Sequence, residues 1–331
     1  MSKISDILKI LSDGKFHSGT EIGQQLHLTR SAVAKFIQQL DELNIDVFSV
    51  KGKGYKIAGG LSLLSEKDIR AGLSDEVRDE ISLEVFTNIA STNTYLKQTS
   101  LDTSFRACMA EYQHQGRGRL GRSWQSPFGS NLILSIAHRH KGTPATLSGY
   151  SLCIGTALRD CLEPLVNADI GLKWPNDLKV NNKKLAGILI EIVSSRNESG
   201  EPVFKVITGI GVNYHLSAEA RSQIDQPVED LSSLTKNRLP SRSELGALII
   251  NSTVAAIKRF ESEGFSAFKE KWLSHDIHLG SKVRLSSESK TIEGIHRGIT
   301  DSGELILERQ GRLIQYSVGE LEEEIEGAFT D

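Results

Sequence analysis

The sequence predicts an α+β multidomain chain with an N-terminal winged helix-turn-helix, a central mixed α/β domain and a small C-terminal β-barrel of the SH3-like kind. Three observations predict it. Apolar residues at helical spacing, broken by tight turns, fill the first 60 positions; strand-like and helix-like runs then alternate without a strict βαβ repeat; and from about residue 271 short strands recur at roughly ten-residue spacing. The expected boundaries are 1–60, a connector over 61–74, a central domain over 75–268 and a barrel over 271–331.

Ile4, Ile7, Leu8, Ile10 and Leu11 predict a first helix that stops at Asp13-Gly14. Ser18-Gly19-Thr20 offers an N-cap for a second short helix carrying Ile22 and Leu26. After a turn at His27-Leu28-Thr29, a third helix starting near Arg30 or Ser31 puts Val33, Ile37 and Leu40 inward. Val47–Val50 and Tyr55–Ile57 then form a hairpin tipped by Lys51-Gly52-Lys53-Gly54. This order is that of a winged DNA-binding module, with Thr29, Arg30, Ser31 and Lys35 available to a groove and Lys51 and Lys53 to backbone phosphates. A three-helix bundle for protein contacts would share the pattern. Eight Lys/Arg against six Asp/Glu leave this segment only weakly basic. One copy of such a module covers only ~600 to 1,000 Å², so tight specific binding requires a dimer.

Ser62 and Ser65 are caps for a short connector helix around Glu66–Leu73. Strands are expected at Leu83–Phe86, Cys108–Tyr112, Leu132–Ala137, Ile188–Val193 and Phe204–Val212, and helices at Thr92–Gln98, Thr146–Leu162 and Arg242–Glu263. The strands around Asn131–Ala137 and Ile188–Val193 are both candidates for a dimer edge. In the last segment, alternation through Lys282–Leu285, Thr291-Ile292, Gly294-Ile295, Glu304–Leu307 and Leu313–Tyr316 predicts the barrel.

At 38% apolar and 24% charged residues, the composition is that of an ordinary globular chain. No apolar run reaches the ~18 to 20 residues of a membrane span and no secretory leader is evident, so the expected compartment is the cytoplasm and no membrane partner is expected. Cys108, Cys153 and Cys161 are odd in number and lack Cys-x-x-Cys spacing, which suggests neither a disulfide framework nor a zinc site.

The most telling stretch is Gly116-Arg117-Gly118-Arg119-Leu120-Gly121-Arg122-Ser123-Trp124. Its glycines permit positive φ and close approach, and its arginines offer charged forks to phosphate or carboxylate oxygens. In isolation it would serve equally as a nucleic-acid tail or a solvated loop, but it lies between two strands inside a folded domain. Ser91-Thr92-Asn93 could cap a helix or face a ligand's polar head. Lys173-Trp174-Pro175-Asn176-Asp177 sets an amide beside a carboxylate, and Lys183-Lys184-Leu185-Ala186-Gly187 is a cationic turn entering a buried strand, with Gly187 allowing close backbone approach.

Taken in order, and ending on Gly209-Ile210-Gly211-Val212-Asn213, these motifs resemble those of biotin protein ligases across essentially the whole chain. With its N-terminal winged helix the chain is similar to the bifunctional ligases that also repress biotin-synthesis genes. The resemblance implies ATP-dependent conversion of biotin to biotinyl-5′-adenylate, then transfer to a lysine of a biotin carboxyl carrier protein, with Mg²⁺ assisting. It further implies that the adenylate promotes a homodimer that binds operator DNA. By the same resemblance Ser91, Thr92, Asn93, Gln113, Gly116, Arg117, Gly118, Arg119, Lys184, Gly187 and Asn213 bind biotin or the adenylate, and Trp124 packs near the adenine. Arg119, Lys184 and Asp177 are the catalytic candidates; Asn176 and Asp177 could orient a metal or the incoming amine, and metal ligands stay unassigned.

No Gly-x-x-x-x-Gly-Lys-Ser/Thr phosphate loop occurs, in keeping with adenylation. The chain departs from the pattern after Gly319-Glu320-Leu321, where Glu322-Glu323-Glu324 replaces a region in which relatives carry a nucleotide-binding arginine; no nucleotide role is therefore expected of the barrel. A lipoate ligase-like enzyme and a ligand-sensing repressor without catalysis are the competing readings.

Overall fold

The structure, a computed structural model, describes residues 3–323 apart from 42, 44, 198, 236, 237, 288 and 289. Helix α1 (Lys3–Leu11) buries Ile7, Leu8 and Leu11. Helix α2 (Gly19–Leu26) opens on a reciprocal cap: Ser18 accepts from the Glu21 amide while the Glu21 carboxylate accepts from the Ser18 amide. His27, in the left-handed region at φ 55, reverses the chain. Thr29 Oγ1 then accepts from the Ala32 amide at 3.1 Å and starts α3 (Arg30–Asp41). Strands β1 (Val47–Val50) and β2 (Gly54–Ile57) pair antiparallel as the wing.

This module shares its core with the next domain. Phe128 is buried within its apolar cluster, and Leu61, Leu63 and Tyr112 pack against that cluster. The stretch expected as a connector is built in at its other end too, since Ile69 of α4 (Glu66–Gly72) and Leu73 belong to the central core. Ser65 caps α4, whereas Ser62 offers its carbonyl to the Arg242 guanidinium at 3.1 Å.

The central domain runs α5 (Asp75–Glu80), β3 (Ile81–Phe86), α6 (Thr92–Gln98), β4 (Phe105–Ala110), β5 (Asn131–His140), α7 (Tyr150–Leu162), β6 (Gly171–Lys173), β7 (Asp177–Val180), β8 (Lys183–Arg196) and β9 (Pro202–Asn213). It closes with α8 (Ala218–Ser222), α9 (Leu231–Leu234), α10 (Arg242–Glu263) and α11 (Ser266–Ser274). The seven strands form one sheet in the order β3-β4-β5-β9-β8-β7-β6, parallel at β3–β4 and antiparallel elsewhere. One face carries the large core under α7 and α10; the other packs Cys108, Ala137 and Ile207 against Leu96 of α6.

Helices α6 and α10 have the bounds the sequence predicts. Helix α7 starts four residues later than expected, because the chain first makes a short 3₁₀ turn over Pro144–Leu147 and then turns through Gly149 at φ 74. Strands β6 and β7, three and four residues long, are too short to show a period in the sequence. One expectation is corrected outright: Asn131–Ala137 cannot be a dimer edge, because β5 is paired to β4 on one side and β9 on the other.

The C-terminal strands β10 (Lys282–Ser286), β11 (Thr291–Ile299), β12 (Leu305–Arg309), β13 (Arg312–Tyr316) and β14 (Glu320–Glu323) form an antiparallel sheet in the order β13-β12-β11-β10-β14. The acidic run begun at Glu320 is thus a strand against β10, and Glu324 lies outside the described residues. Polar contacts fasten this sheet to the central domain, three of them at its turns and in its core. The Trp174 indole N–H donates to Gly303 O at 3.1 Å, Ser148 donates to Ser302 O at 2.5 Å, and fully buried His296 and Asp276 meet at 2.5 Å. Among the described residues, no helix is long and apolar enough to cross a membrane.

Two predictions follow from this packing. Phe128→Ala removes an aromatic side chain buried between domains, at an expected cost of about 3 kcal/mol in the seating of the N-terminal module. Faster proteolysis near Gly59–Leu61, with the central domain intact, is the expected readout; an unchanged cleavage rate would show that the module does not depend on this contact. The second concerns Glu261 of α10, whose carboxylate lies 2.5 Å from His140 and 3.6 Å from His138. Burial raises its pKa, but the two histidines and the Lys141 amide outweigh burial and hold it at about 2. The stabilisation is therefore complete above the ordinary carboxylate value of about 4.3 and disappears as pH falls toward 2. Urea midpoints measured across that window are expected to fall more steeply with acid in the parent than in Glu261→Gln.

Candidate active site

The site is assembled where α6, the Gly/Arg loop, the β6–β7 turn, the start of β8 and the last described strand converge on the α6 side of the sheet. They line one open-mouthed cavity.

One end is a polar knot at the head of α6. Ser91 both caps the helix, accepting from the Thr94 amide at 3.4 Å, and lines the cavity, so the two readings of Ser-Thr-Asn are compatible. Gln113 Oε1 accepts from the Thr92 amide at 2.8 Å and from its hydroxyl at 3.1 Å. Ser135, fully buried on β5, donates to Asn93 Oδ1 at 2.6 Å. The Asn93 amide in turn donates to Glu191 Oε2 at 2.9 Å. Ser135 and Glu191 did not stand out in the sequence, because each is a lone polar residue in an otherwise strand-like run.

The sheet beneath is bare by necessity. A β-carbon on Gly209 would stand 2.4 Å from Asn93 Oδ1, and one on Gly211 2.5 Å from the Trp124 ring. Strand alternation turns Ile210 and Val212 into the core and leaves both glycines facing the cavity side. Gly187 lines the cavity, yet its missing side chain makes room for Trp124 and Lys184 rather than for a ligand alone. Gly116 stays outside the cavity wall and is bare because Trp124 O would lie 2.4 Å from a β-carbon. In the Gly/Arg loop positive φ falls on Leu120 and Gly121, so neither Gly116 nor Gly118 uses the left-handed freedom expected of the loop glycines.

The three loop arginines differ in what they hold. Arg117 binds Glu191 at 3.2 Å and Thr94 at 3.0 Å, and Arg122 pairs with Glu320 at 2.5 Å. Among the described residues Arg119 meets only neutral oxygens, Asn176 Oδ1 and Gly319 O, each at 3.3 Å. Burial lowers its pKa below the usual guanidinium value, against the pull of Glu320 and Asp177. Lys173, which the sequence reading left out of the site, lines the same cavity, and burial lowers its pKa as well. Among the described residues its ammonium has no hydrogen bond or ion pair. Lys184 lies 2.8 Å from Asp177 and 5.6 Å from the centre of the Trp124 ring, so cation, carboxylate and aromatic face form one unit. Among the described residues the two desolvated cations, Arg119 and Lys173, have no direct carboxylate partner, a charge arrangement that suits an anion.

The C-terminal sheet reaches this cavity, which the sequence did not lead one to expect: Glu320 and Leu321 form part of its wall. Asn213 lies outside it and reaches only the adjoining cleft, its side-chain amide donating to Lys184 O and Glu229 O at 3.0 Å each. Thr29, Arg30, Ser31, Lys35, Lys51 and Lys53 are all exposed on the N-terminal module, far along the chain from this chemistry.

Comparison with known proteins agrees with this layout. Residues 85–213 match the biotin/lipoate A/B protein ligase family, residues 3–56 an HTH domain, and residues 278–322 the biotin protein ligase C-terminal domain. The bifunctional ligase/repressor BirA of Escherichia coli is 37% identical over 95% of both chains, and that of Bacillus subtilis 27% identical over 92% of this chain and 93% of its own. A biotin protein ligase of Aquifex aeolicus, solved in complex with biotin and ATP, superposes with a TM-score of 0.61 at 27% identity, covering 73% of this chain and 97% of that one. The chain therefore belongs to the biotin protein ligase family, in the branch whose members join a ligase to an N-terminal helix-turn-helix and act as both ligase and repressor.

Proposed function

We propose that this chain activates biotin with ATP and delivers it to a carrier protein, and that the activated intermediate also makes it a repressor. In the first step a carboxylate oxygen of biotin attacks the α-phosphorus of ATP; the bond to pyrophosphate breaks and biotinyl-5′-adenylate forms. In the second, a carrier lysine amine attacks the acyl carbon, loses a proton and releases AMP. The observation that carries the reading is the pair of desolvated cations, Arg119 and Lys173, in one cavity with the Lys184–Asp177 pair.

Each role follows from the chemistry. Two anions must approach each other, so neutralisation and alignment are the main work, and Arg119, Lys173 and Lys184 supply them. The head of α6, with Thr92, Asn93 and Gln113, offers fixed donors and acceptors for the polar ring of biotin. Trp124 gives an aromatic wall for the adenine. Asp177 and Glu320 put carboxylate oxygens in the same wall. The described residues form no cluster of three or more His, Cys, Asp or Glu side chains able to hold a metal. Asp177, whose carboxylate lines the cavity, would hold Mg²⁺ together with the nucleotide's own phosphates, and the ion would neutralise charge on the leaving pyrophosphate.

Operator DNA is met by α3 and the wing, through Arg30, Ser31 and Lys35 beside Thr29 and through Lys51 and Lys53. A biotin carboxyl carrier protein is the acceptor. Strand β7 covers only the start of β8, which leaves the later part of that edge open with Ile192 exposed; this supports strand addition there, by a second copy or by the carrier. We assign the protein to the cytoplasm and expect the adenylate to favour the homodimer.

The test offers Mg-ATP, an acceptor domain and either biotin or lipoate, and weighs the acceptor: a gain equal to biotin is expected, a gain equal to lipoate shows the other enzyme, and no gain leaves a sensor without catalysis. In the same assay Lys184→Ala is expected to slow pyrophosphate release by the equivalent of about 2 to 4 kcal/mol, while an unchanged rate removes Lys184 from the mechanism. Arg30→Ala is expected to weaken operator binding in gel shift with ligation untouched.

A further inference from the structure

One carboxylate ties together two elements that wall the cavity. Gly187 and Leu189 of β8 line that cavity, and strand alternation puts Glu191 on the same face two residues further on, outside the lining residues. Its Oε2 accepts from the Asn93 amide at 2.9 Å and from the Arg117 guanidinium at 3.2 Å, and its Oε1 accepts from the Lys97 ammonium at 2.5 Å. Only 18% of its side chain is exposed, so these charges are screened less than those of a surface pair.

The two cations do different work. Lys97 lies one turn after Asn93 on α6, so its pair with Glu191 docks the helix on β8. Arg117 belongs to the Gly/Arg loop, and its guanidinium reaches both Glu191 and Thr94 Oγ1, the latter at 3.0 Å. The far end of the loop is tied to Glu320 through Arg122. Between these ties lie Gly118 and Arg119, which line the cavity, and Leu120 and Gly121 at positive φ. A Gly-rich, like-charged segment keeps a closed shape only as firmly as its ends are held.

We propose that Glu191 is a positioning residue that latches the Gly/Arg loop to the head of α6 through Arg117, and so sets how long the activated intermediate stays enclosed. The inference rests on the adenylate chemistry given above. Its effect falls on retention more than on activation. Among the described residues Arg119, Lys173 and Lys184, which neutralise charge, have no hydrogen bond or ion pair with Glu191. A mixed anhydride is easily hydrolysed, and a loop held shut over it keeps water out.

The full-length chain is loaded with labelled biotin and Mg-ATP and chased with excess unlabelled biotin, so that loss of label from the protein gives the release rate. Glu191→Gln keeps an acceptor for Asn93 and removes the charge that Arg117 and Lys97 share. It is expected to speed release about 10-fold, the scale of one hydrogen bond to a charged group, with single-turnover pyrophosphate release slowed less than about threefold. Arg117→Met is expected to speed release to a similar degree, and adding Glu191→Gln to it changes the rate less than about twofold. Lys97→Met, which spares the loop tie, is expected to release at the parental rate. Parental release in Glu191→Gln overturns the latch, as do losses that multiply fully in the double variant. A Lys97→Met as leaky as Glu191→Gln also overturns it, by placing the effect in the docking of α6. If Glu191→Gln does not fold, Arg117→Met alters an exposed side chain at the other end of the same contact, and parental release there is equally fatal. A parent without biotin-dependent pyrophosphate release overturns the adenylate reading itself, and the latch with it.

Discussion

The site depends first on the absence of side chains along one face of β9. Asn93 from the head of α6 and the Trp124 ring from the Gly/Arg loop both lie where a β-carbon on Gly209 or Gly211 would be. Because those two positions are bare, helix and loop press onto the sheet closely enough to form opposite walls of one cavity. The alternate residues, Ile210 and Val212, anchor the strand in the core at the same time. A strand with period two thus serves two masters, apolar on one face and empty on the other.

Charge is distributed over this scaffold by pairing. Arg117 and Arg122 are tied to Glu191 and Glu320, which fixes the loop at both ends. Only Arg119, between them, is held by neutral oxygens and buried enough for its pKa to fall. Lys173 is likewise buried enough for its pKa to fall, and among the described residues its ammonium has no hydrogen bond or ion pair. Leaving such cations unpaired costs stability, and an anionic ligand returns that energy as binding. The arginine-rich loop is therefore less a general anion trap than two struts around one functional fork.

The domains are joined by buried polar contacts rather than by loose linkers. Arg242 binds Ser62 O at the exit of the N-terminal module and Asn131 O at the edge of the site region, with Glu111 as its counter-charge. Trp174, in the turn that carries Asn176 and Asp177, is pinned to the C-terminal sheet through Gly303 O. Breaking one partner of such a buried pair leaves an uncompensated polar group, which is why these joints resist being pulled apart.

Much of this was legible in the chain order. The N-cap at Ser18, the helices Thr92–Gln98 and Arg242–Glu263, the wing hairpin and the five clustered motifs all follow from local spacing and turn chemistry. Local signals also mark which residues are chemically special, since a Gly/Arg loop or a Lys-Trp-Pro-Asn-Asp turn is unusual wherever it lies. What they do not carry is which charge meets which. That Arg122 is spent on Glu320, that the Lys173 ammonium has no partner among the described residues, that the Asn213 amide donates to the Lys184 and Glu229 carbonyls, and that an acidic C-terminal strand forms part of the cavity wall are facts about partners distant in sequence. The sequence by itself determined the elements and the kinds of group available, because those depend on neighbours along the chain; only the tertiary structure decided which groups remain free to act, because neutralisation and burial depend on neighbours in space.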